Sequence, residues 1–518
     1  MFLIKRLVLW LVLFAIGSVA AQAQQTVPPS WLVKQSEESP NQFEMIDDDD
    51  TASTVPAWQG LSADTPVAQP TPSPASAPLP IPLATPPIQG SQDISQMSDS
   101  FEMHSGDVCD LRPIRSSRHV RSDDLFGWQA SPWRMGGWLQ QGFTINPEDP
   151  ANGSNAPVLF NDAANDYQLN QLYFYLGREA TINGQTWDWG GRVDVNYGTD
   201  SRYVTVPGLE RHEDRSRRWN SEDSDYGIAL PQAYLDLATP IGPYGSVIRA
   251  GHFYALGGYE TFAAPENFFY SHAYTFLYGN AFTQSGVMWS GKLSPTLAGA
   301  VSATTGWDSF YSDGDDWGVR AGLMKELGGG QTTIALTGHY GNDFTGFTDA
   351  SGSINGDRVW ASLVLKHYLR PSTYYVMQAD YGYQEGSTLE LNTATNTVEF
   401  GDGNWWGINQ YLVQQLSEKW SAGLRVEWFR DDSGTRLGVP VEYSTGGTVF
   451  NGEDYFAITG GVHYQPHSNV LLRNEIRWDT SNVESNPAVP GGVAGIKPFN
   501  DRSDDNQLLI ALDAIIQF

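Results

Sequence analysis

From about Gly127 to the C-terminus, the chain consists of short segments in which apolar and polar residues alternate. In Trp420–Phe429, one row reads Trp, Ala, Leu, Val, Trp, and the other reads Ser, Gly, Arg, Glu, Phe. Successive side chains of a strand point to opposite faces, so this pattern predicts strands with one apolar and one polar face. Several apolar rows, as in Trp187–Tyr197, have aromatic residues at both ends and charges in the other row. This arrangement favours membrane-crossing strands over those of a soluble sandwich.

About sixteen such segments, within a range of roughly 14 to 18, predict an all-β fold, a transmembrane antiparallel β-barrel over residues 127–518. Their approximate centres are Leu139, Phe174, Val193, Leu235, Ile248, Val287, Val301, Val319, Leu336, Leu363, Met377, Ile408, Leu424, Ile458, Leu472 and Leu512. An even number of strands places both ends of the barrel on the periplasmic side. About sixteen strands also predict a water-filled channel rather than a packed interior.

The last segment, Gln507–Phe518, carries the clearest version of the pattern. Every second residue from Leu508 to Phe518 is apolar, and the other row is mixed. By itself this segment fits either a lipid-facing strand or a buried strand of a soluble β-protein. A terminal Phe518 on such a strand resembles the closing strand of a bacterial outer-membrane barrel. We therefore expect this strand to pair with the first one, near Trp138–Phe143, and Phe518 to be a signal for the barrel-assembly machinery.

The N-terminus predicts export. Lys5 and Arg6 precede an apolar run, Leu7–Ile16, which is followed by Ala21-Gln22-Ala23. These are the parts of a cleaved secretory signal peptide, residues 1–23. The remaining chain has no long apolar stretch, so a membrane-spanning form requires a closed barrel, in contact with outer-membrane lipid.

Residues 24–126 predict a disordered, Pro/Ala/Ser-rich periplasmic linker. They contain the acidic run Asp47–Asp50, near-alternate prolines over Pro70–Pro82 and a basic cluster over Arg112–Arg121. A chain of this composition favours extended conformations and buries too little apolar surface to fold alone. It is either a solvated spacer or a contact to the cell wall or a partner.

Composition narrows the function classes. The formal net charge of −29 argues against nucleic acid as a partner, because binding to phosphates requires a basic surface. The 18 Trp and 24 Tyr residues suit the aromatic girdles of a barrel, or a carbohydrate-binding sandwich. The single cysteine, Cys109, excludes an intramolecular disulfide.

The inward rows of the predicted strands supply candidate pore-lining residues. These are Arg192, Asp194, Arg320, Asp380, Arg425, Glu427, Arg473, Glu475 and Arg477. Opposed acidic and basic rows would set up a field that orients polar solutes. Alternatively, the charges pair across neighbouring strands and fill the lumen.

One connection, which begins at Gly257, is long and aromatic. It includes Gly257-Gly258-Tyr259-Glu260 and Pro265–Ser271. Together with Arg249–Tyr254, Phe282–Val287 and Gly423–Gly434, these blocks resemble the OmpL-like family of outer-membrane β-barrel porins. The resemblance implies a pore for small hydrophilic solutes, and porins of this size are often homotrimers.

Such an apolar loop is poorly suited to water, and insertion into the barrel mouth would bury it and narrow the pore. Tyr259, Glu260 and Glu266 are therefore candidates for a constriction. The alternative is a loop that packs on the barrel rim and never meets solute.

The sequence contains no G-x-S-x-G elbow, no H-E-x-x-H and no Cys-His metal pattern. We therefore predict no enzyme, no catalytic residue, no cofactor and no metal site. Three functions stay open: a porin, a structural or adhesive outer-membrane barrel, and a secreted carbohydrate-binding β-protein.

Overall fold

The structure is a computed structural model that describes residues 103–104, 132–311, 316–349, 352–392, 397–437, 439–442, 448–482 and 497–518. The predicted signal peptide, residues 1–23, lies outside the described residues. So does the predicted linker, residues 24–126, except for Met103–His104, which pairs with Thr181–Ile182.

Sixteen antiparallel strands form a closed barrel. We number them β1 Trp133–Ile145, β2 Asp166–Arg178, β3 Asp188–Gly198, β4 Gly227–Thr239, β5 Ser246–Tyr254, β6 Thr283–Ser294, β7 Leu297–Thr304, β8 Trp317–Leu327, β9 Thr332–Asp349, β10 Gly352–Arg370, β11 Thr373–Asn392, β12 Thr397–Gln415, β13 Trp420–Asp431, β14 Glu453–His467, β15 Val470–Ser481 and β16 Asn506–Gln517. Each of the centres predicted from the sequence lies within its strand. The predicted fold class is confirmed, and a β-sandwich is wrong for this chain.

The barrel closes between its first and last strands, as predicted. β16 pairs antiparallel with β1, in a register that runs from Trp138 opposite Gln517 to Ile145 opposite Ile510. Every barrel strand therefore has two neighbours, and the described barrel has no unpaired edge.

The two faces of the strands follow the predicted rows. On β15, Ile476 and Trp478 face outwards and are exposed, whereas Arg473 and Arg477 face inwards and are buried. The outward rows present the apolar surface that lipid requires, and the inward rows bring polar side chains together inside the barrel.

Short turns connect the strands at one end of the barrel, which we call the turn end. Longer connections lie at the other end, which we call the loop end. Between Gly386 and Asn404, most residues continue β11 and β12 as a hairpin. A second short strand pair at the loop end joins Val439–Glu442 to Thr448–Asn451.

Helical structure among the described residues is limited to short pieces, namely Ser201–Val204, Ala264–Glu266 and Thr275–Gly279. None of the described helices is long and apolar enough to cross a membrane.

The connection between β5 and β6, residues 255–282, turns into the barrel, and we call it the inserted segment. Its side chains belong to several of the buried apolar clusters in the interior. Instead of the open interior that about sixteen strands predict, this barrel has an interior that its own connection fills.

Candidate functional site

The candidate functional site is the interior of the barrel where the inserted segment meets the wall. The segment enters because it is rich in apolar and aromatic residues that water would solvate poorly. Phe262, Phe276 and Leu277 are buried together with Trp138 of β1 and Ile515 of β16. The predicted insertion is thus observed, and the segment extends deep into the barrel rather than packing on the rim.

Two wall carboxylates bind backbone N–H groups of the segment. Glu475 of β15 accepts hydrogen bonds from the amides of Tyr270 and Ser271, at 2.9 and 3.0 Å. Glu427 of β13 accepts a bond from the amide of Tyr274 at 2.8 Å. Bonds to an ionised acceptor are stronger than neutral ones, so these carboxylates fix the path of the segment.

Wall arginines bind the carbonyl groups of the same stretch. Arg473 donates to the carbonyl oxygens of Asn267 and Phe269, each at 3.0 Å. Arg425 donates to the carbonyl of Ser271 at 2.7 Å, and Arg477 to that of His272 at 2.7 Å. Carbonyls that burial would otherwise leave unpaired are satisfied by charged donors.

Each of these arginines also has a carboxylate partner on the wall. Arg473 pairs with Asp513 of β16 at 2.5 Å, and Arg477 pairs with Asp479 at 2.7 Å. Arg425 pairs with Glu427 at 3.1 Å. A buried guanidinium needs such compensation, because transfer of a charge out of water is costly.

Glu260 is a predicted constriction residue and links the segment to β13. Its carboxylate lies 3.0 Å from Arg425 and 3.0 Å from Nδ1 of His272, and it accepts a bond from the Tyr411 hydroxyl at 2.9 Å. Burial acts to raise the pKa of Glu260, but Arg425 and His272 outweigh it and lower the pKa to about 2. Burial lowers the pKa of His272 despite its contact with Glu260. Both groups lie outside the membrane-spanning strands.

The other two constriction candidates lie nearer the turn end. Tyr259 is buried, with its ring 4.8 Å from that of Tyr411. Glu266 is half-buried at the tip of the segment, beside Phe268. Tyr259 and Glu266 line a cavity of about 840 Å³ at the turn end, which ends on the inserted segment.

The remaining pore-lining candidates also face inwards. Arg320 is buried and donates to the carbonyl of Leu256 at 2.7 Å. Asp380 is buried and accepts a bond from Gln378 at 2.8 Å. Arg192, whose side chain is 30% exposed, pairs with buried Asp194 at 2.6 Å. Their role in lining a pore stays a prediction.

Each strand contributes an inward-facing side chain that is buried. From β1 to β16 these are Gln140, Tyr173, Asp194, Gln232, Arg249, Ser290, Ser302, Arg320, Thr337, Ser362, Gln378, Asn409, Arg425, Thr459, Arg473 and Ala511. Inward-facing positions on every strand of the barrel are therefore shielded from water.

Sequence reasoning missed the aromatic residues that anchor the segment. The Tyr270 hydroxyl donates to Asn170 at 2.7 Å, and the Tyr274 hydroxyl donates to Asp479 at 2.8 Å. Asp513, in the mixed row of Gln507–Phe518, is the partner of Arg473. The alternation in the sequence indicates that the polar wall residues face inwards, but it does not indicate their partners.

Comparison with known proteins gives a family. The family model described as "Putative beta-barrel porin-2, OmpL-like" matches residues 132–518, which confirms the predicted resemblance. No curated protein matches the sequence.

Several solved structures are similar to this chain at low identity. An anion-selective porin from Comamonas acidovorans has 8% identity and a TM-score of 0.44, with 74% of this chain and 99% of that chain covered. OprB of Pseudomonas putida has 10% identity and a TM-score of 0.42, with 74% and 94% covered. OmpT of Vibrio cholerae, in its trimer form, has 10% identity and a TM-score of 0.44, with 74% and 99% covered.

Proposed function

Since this chain belongs to the OmpL-like family of β-barrel porins, we propose that it forms an outer-membrane channel for small hydrophilic solutes or ions. In this proposal, the inserted segment closes the channel. The observation that carries the proposal is that charged wall groups bind the backbone of the segment in the interior.

A barrel of about sixteen strands encloses more space than inward side chains alone can fill. Here the inserted segment takes up that space, and its bonds end on Arg425, Glu427 and Arg473. If the segment moves aside, these charges line a hydrated passage. A charged lining of this kind favours hydrophilic solutes over apolar ones.

Conductance in planar bilayers tests the proposal. The informative variant replaces residues 259–276 by a Gly/Ser chain of the same length, and we call it the segment-replaced variant. We expect small or rare current steps for the wild-type protein and steps several-fold larger for this variant. A Gly/Ser replacement of residues 212–224, in the connection between β3 and β4, is the matched control and should behave as wild type.

A structural or adhesive barrel is the alternative function. Folded wild-type protein and folded segment-replaced variant that both lack a conductance step would overturn the channel proposal and favour this alternative. Heat-modifiable gel mobility establishes that each sample is a folded barrel.

Export and assembly complete the proposal. Residues 1–23 direct export and are removed, residues 24–126 form a periplasmic linker, and the barrel-assembly machinery recognises the strand that ends at Phe518. Sequencing of the N-terminus of the membrane-bound protein tests the cleavage site. Chemical cross-linking in native membranes tests the expected homotrimer.

A further inference from the structure

We propose that the inner wall formed by β13 and β15 is a peptide-binding surface, and that the inserted segment occupies it as a built-in substitute for a short peptide solute. This inference rests on the proposed channel function and names its solute class. We call residues Phe269–Tyr274 the mimic stretch, because most of the wall contacts fall within it.

The wall binds the backbone of the mimic stretch. Carboxylates of Glu475 and Glu427 accept its N–H groups, and guanidinium groups donate to its carbonyls. The three donor contacts run from Arg473 to Phe269, from Arg425 to Ser271 and from Arg477 to His272. Backbone groups are the same in every peptide, so this part of the recognition does not depend on peptide sequence.

Glu475 is the residue most clearly arranged for a peptide. It is buried, and its two carboxylate oxygens accept bonds from consecutive amides, those of Tyr270 and Ser271. Among the ion pairs of the described residues, Glu427 pairs with Arg425 and Arg477, whereas Glu475 takes part in none. An ionised carboxylate accepts only, so Glu475 selects ligands that present two adjacent donors on one side, as the bent backbone of residues 268–271 does.

Side-chain contacts add a preference for aromatic residues. The ring of Tyr274 lies 5.4 Å from that of Tyr455 and 4.9 Å from the guanidinium carbon of Arg477, and its hydroxyl reaches Asp479 at 2.8 Å. Four residues earlier, the Tyr270 hydroxyl reaches Asn170. A wall that binds the backbone through charges and places side chains among aromatic groups combines the two parts of peptide recognition, affinity and selectivity.

An oligosaccharide fits this wall less well. Sugar hydroxyls are both donors and acceptors and are spaced by ring geometry, whereas the wall presents pure acceptors to the backbone amides and pure donors to the backbone carbonyls. The solute class that matches is a short peptide with aromatic side chains.

The experiment uses the segment-replaced variant in planar bilayers, since its wall is free to bind solute. The probes are the hexapeptide Phe-Tyr-Ser-His-Ala-Tyr with blocked termini and a linear oligosaccharide of similar mass. We expect the peptide to block the current at concentrations about tenfold lower, or more, than the oligosaccharide. In the segment-replaced variant, the further substitution Glu475→Gln should weaken the peptide block about tenfold. The control substitution Glu148→Gln, on an exposed loop, should leave the block unchanged.

Equal block by peptide and oligosaccharide would overturn the peptide inference and leave the channel function intact. Absence of conductance from a folded barrel would instead overturn the channel function. If the segment-replaced variant does not fold, wild-type proteoliposomes provide the test by osmotic swelling. Aromatic dipeptides and tripeptides should then enter faster than disaccharides of similar mass, and equal rates would contradict the inference.

Discussion

Glu260 of the inserted segment and Arg425 of β13 form an ion pair at 3.0 Å, with both side chains buried inside the barrel. Glu260 also binds His272 and Tyr411, and Arg425 also binds Ser271 and Glu427. This pair connects the segment to the wall through the strongest kind of contact that a buried site offers. It is therefore the first place at which closure of the channel can be weakened.

Glu260→Gln should favour the open channel. Removal of one partner from a buried ion pair leaves the other charge without full compensation, at a cost of about 3 kcal/mol. We expect the free energy that keeps the segment inserted to fall by about that amount, and the open probability in planar bilayers to rise. Glu148→Gln, on an exposed loop, is the control. An open probability equal to that of wild type would show that the pair does not hold the segment.

Acid should open the channel through Glu260 and His272. Glu260 has a pKa of about 2, below its ordinary 4.5, so its stabilisation of the inserted state is complete above pH 4.5 and is lost as pH falls towards 2. The pKa of buried His272 is lowered from 6.5, so the inserted state also loses stability as pH falls below 6.5. The surrounding charged or titratable groups are Arg425, Arg473 and Tyr411. Open probability should rise as pH falls, and Glu260→Gln should remove the part of the response below pH 4.5.

Gly142→Ala should displace the segment by steric contact alone. A Cβ atom at Gly142 of β1 would lie 2.6 Å from the ring of Tyr270, closer than such atoms approach. We expect a higher open probability with little change in the amount of folded barrel. Gly460→Ala is the matched control, because a Cβ atom there has no heavy atom within 4 Å among the described residues. If the two variants conduct alike, Tyr270 does not depend on the space at Gly142.

Deletion of Phe518 should impair assembly more than conductance. The Phe518 amide donates to the Gly137 carbonyl at 2.9 Å, and the Gly137 amide donates to the Phe518 carbonyl at 2.8 Å. The Phe518 ring lies 5.3 Å from that of Phe174 on the outer face. We expect less folded barrel in the outer membrane, as measured by heat-modifiable gel mobility, and normal current steps from the molecules that do assemble. Phe518→Tyr keeps the ring and the backbone bonds, and should assemble normally. Normal membrane levels of the truncated chain would contradict the predicted role of Phe518.

The sequence does not show which partners the inward-facing charges have. Arg425 and Glu427 are two residues apart on one strand, and so are Arg473 and Glu475, which allows either pairing or a charged lumen. In the structure, Arg425 does pair with Glu427, but Arg473 pairs with Asp513 on β16, and Glu475 binds the segment amides. These partners are far apart in sequence, so no local pattern distinguishes them.

The sequence by itself determined the barrel. A strand between lipid and an enclosed interior must alternate apolar and polar residues with a period of two, and this local constraint is visible in every strand from Trp133 to Gln517. It also predicted that Gln507–Phe518 pairs with the first strand, and the register of β16 with β1 confirms this prediction. Even the need to bury the connection after Gly257 followed from its aromatic composition.

Only the tertiary structure decided what fills the interior. Contacts among many strands set the depth that residues 255–282 reach inside the barrel. They also bring Glu475 to the amides of Tyr270 and Ser271, and they bury Arg425. Charged side chains inside a barrel can line a hydrated lumen, or they can form hydrogen bonds with a buried backbone. Which of the two occurs is set by long-range packing, because a buried backbone must find its hydrogen-bond partners wherever the fold places them.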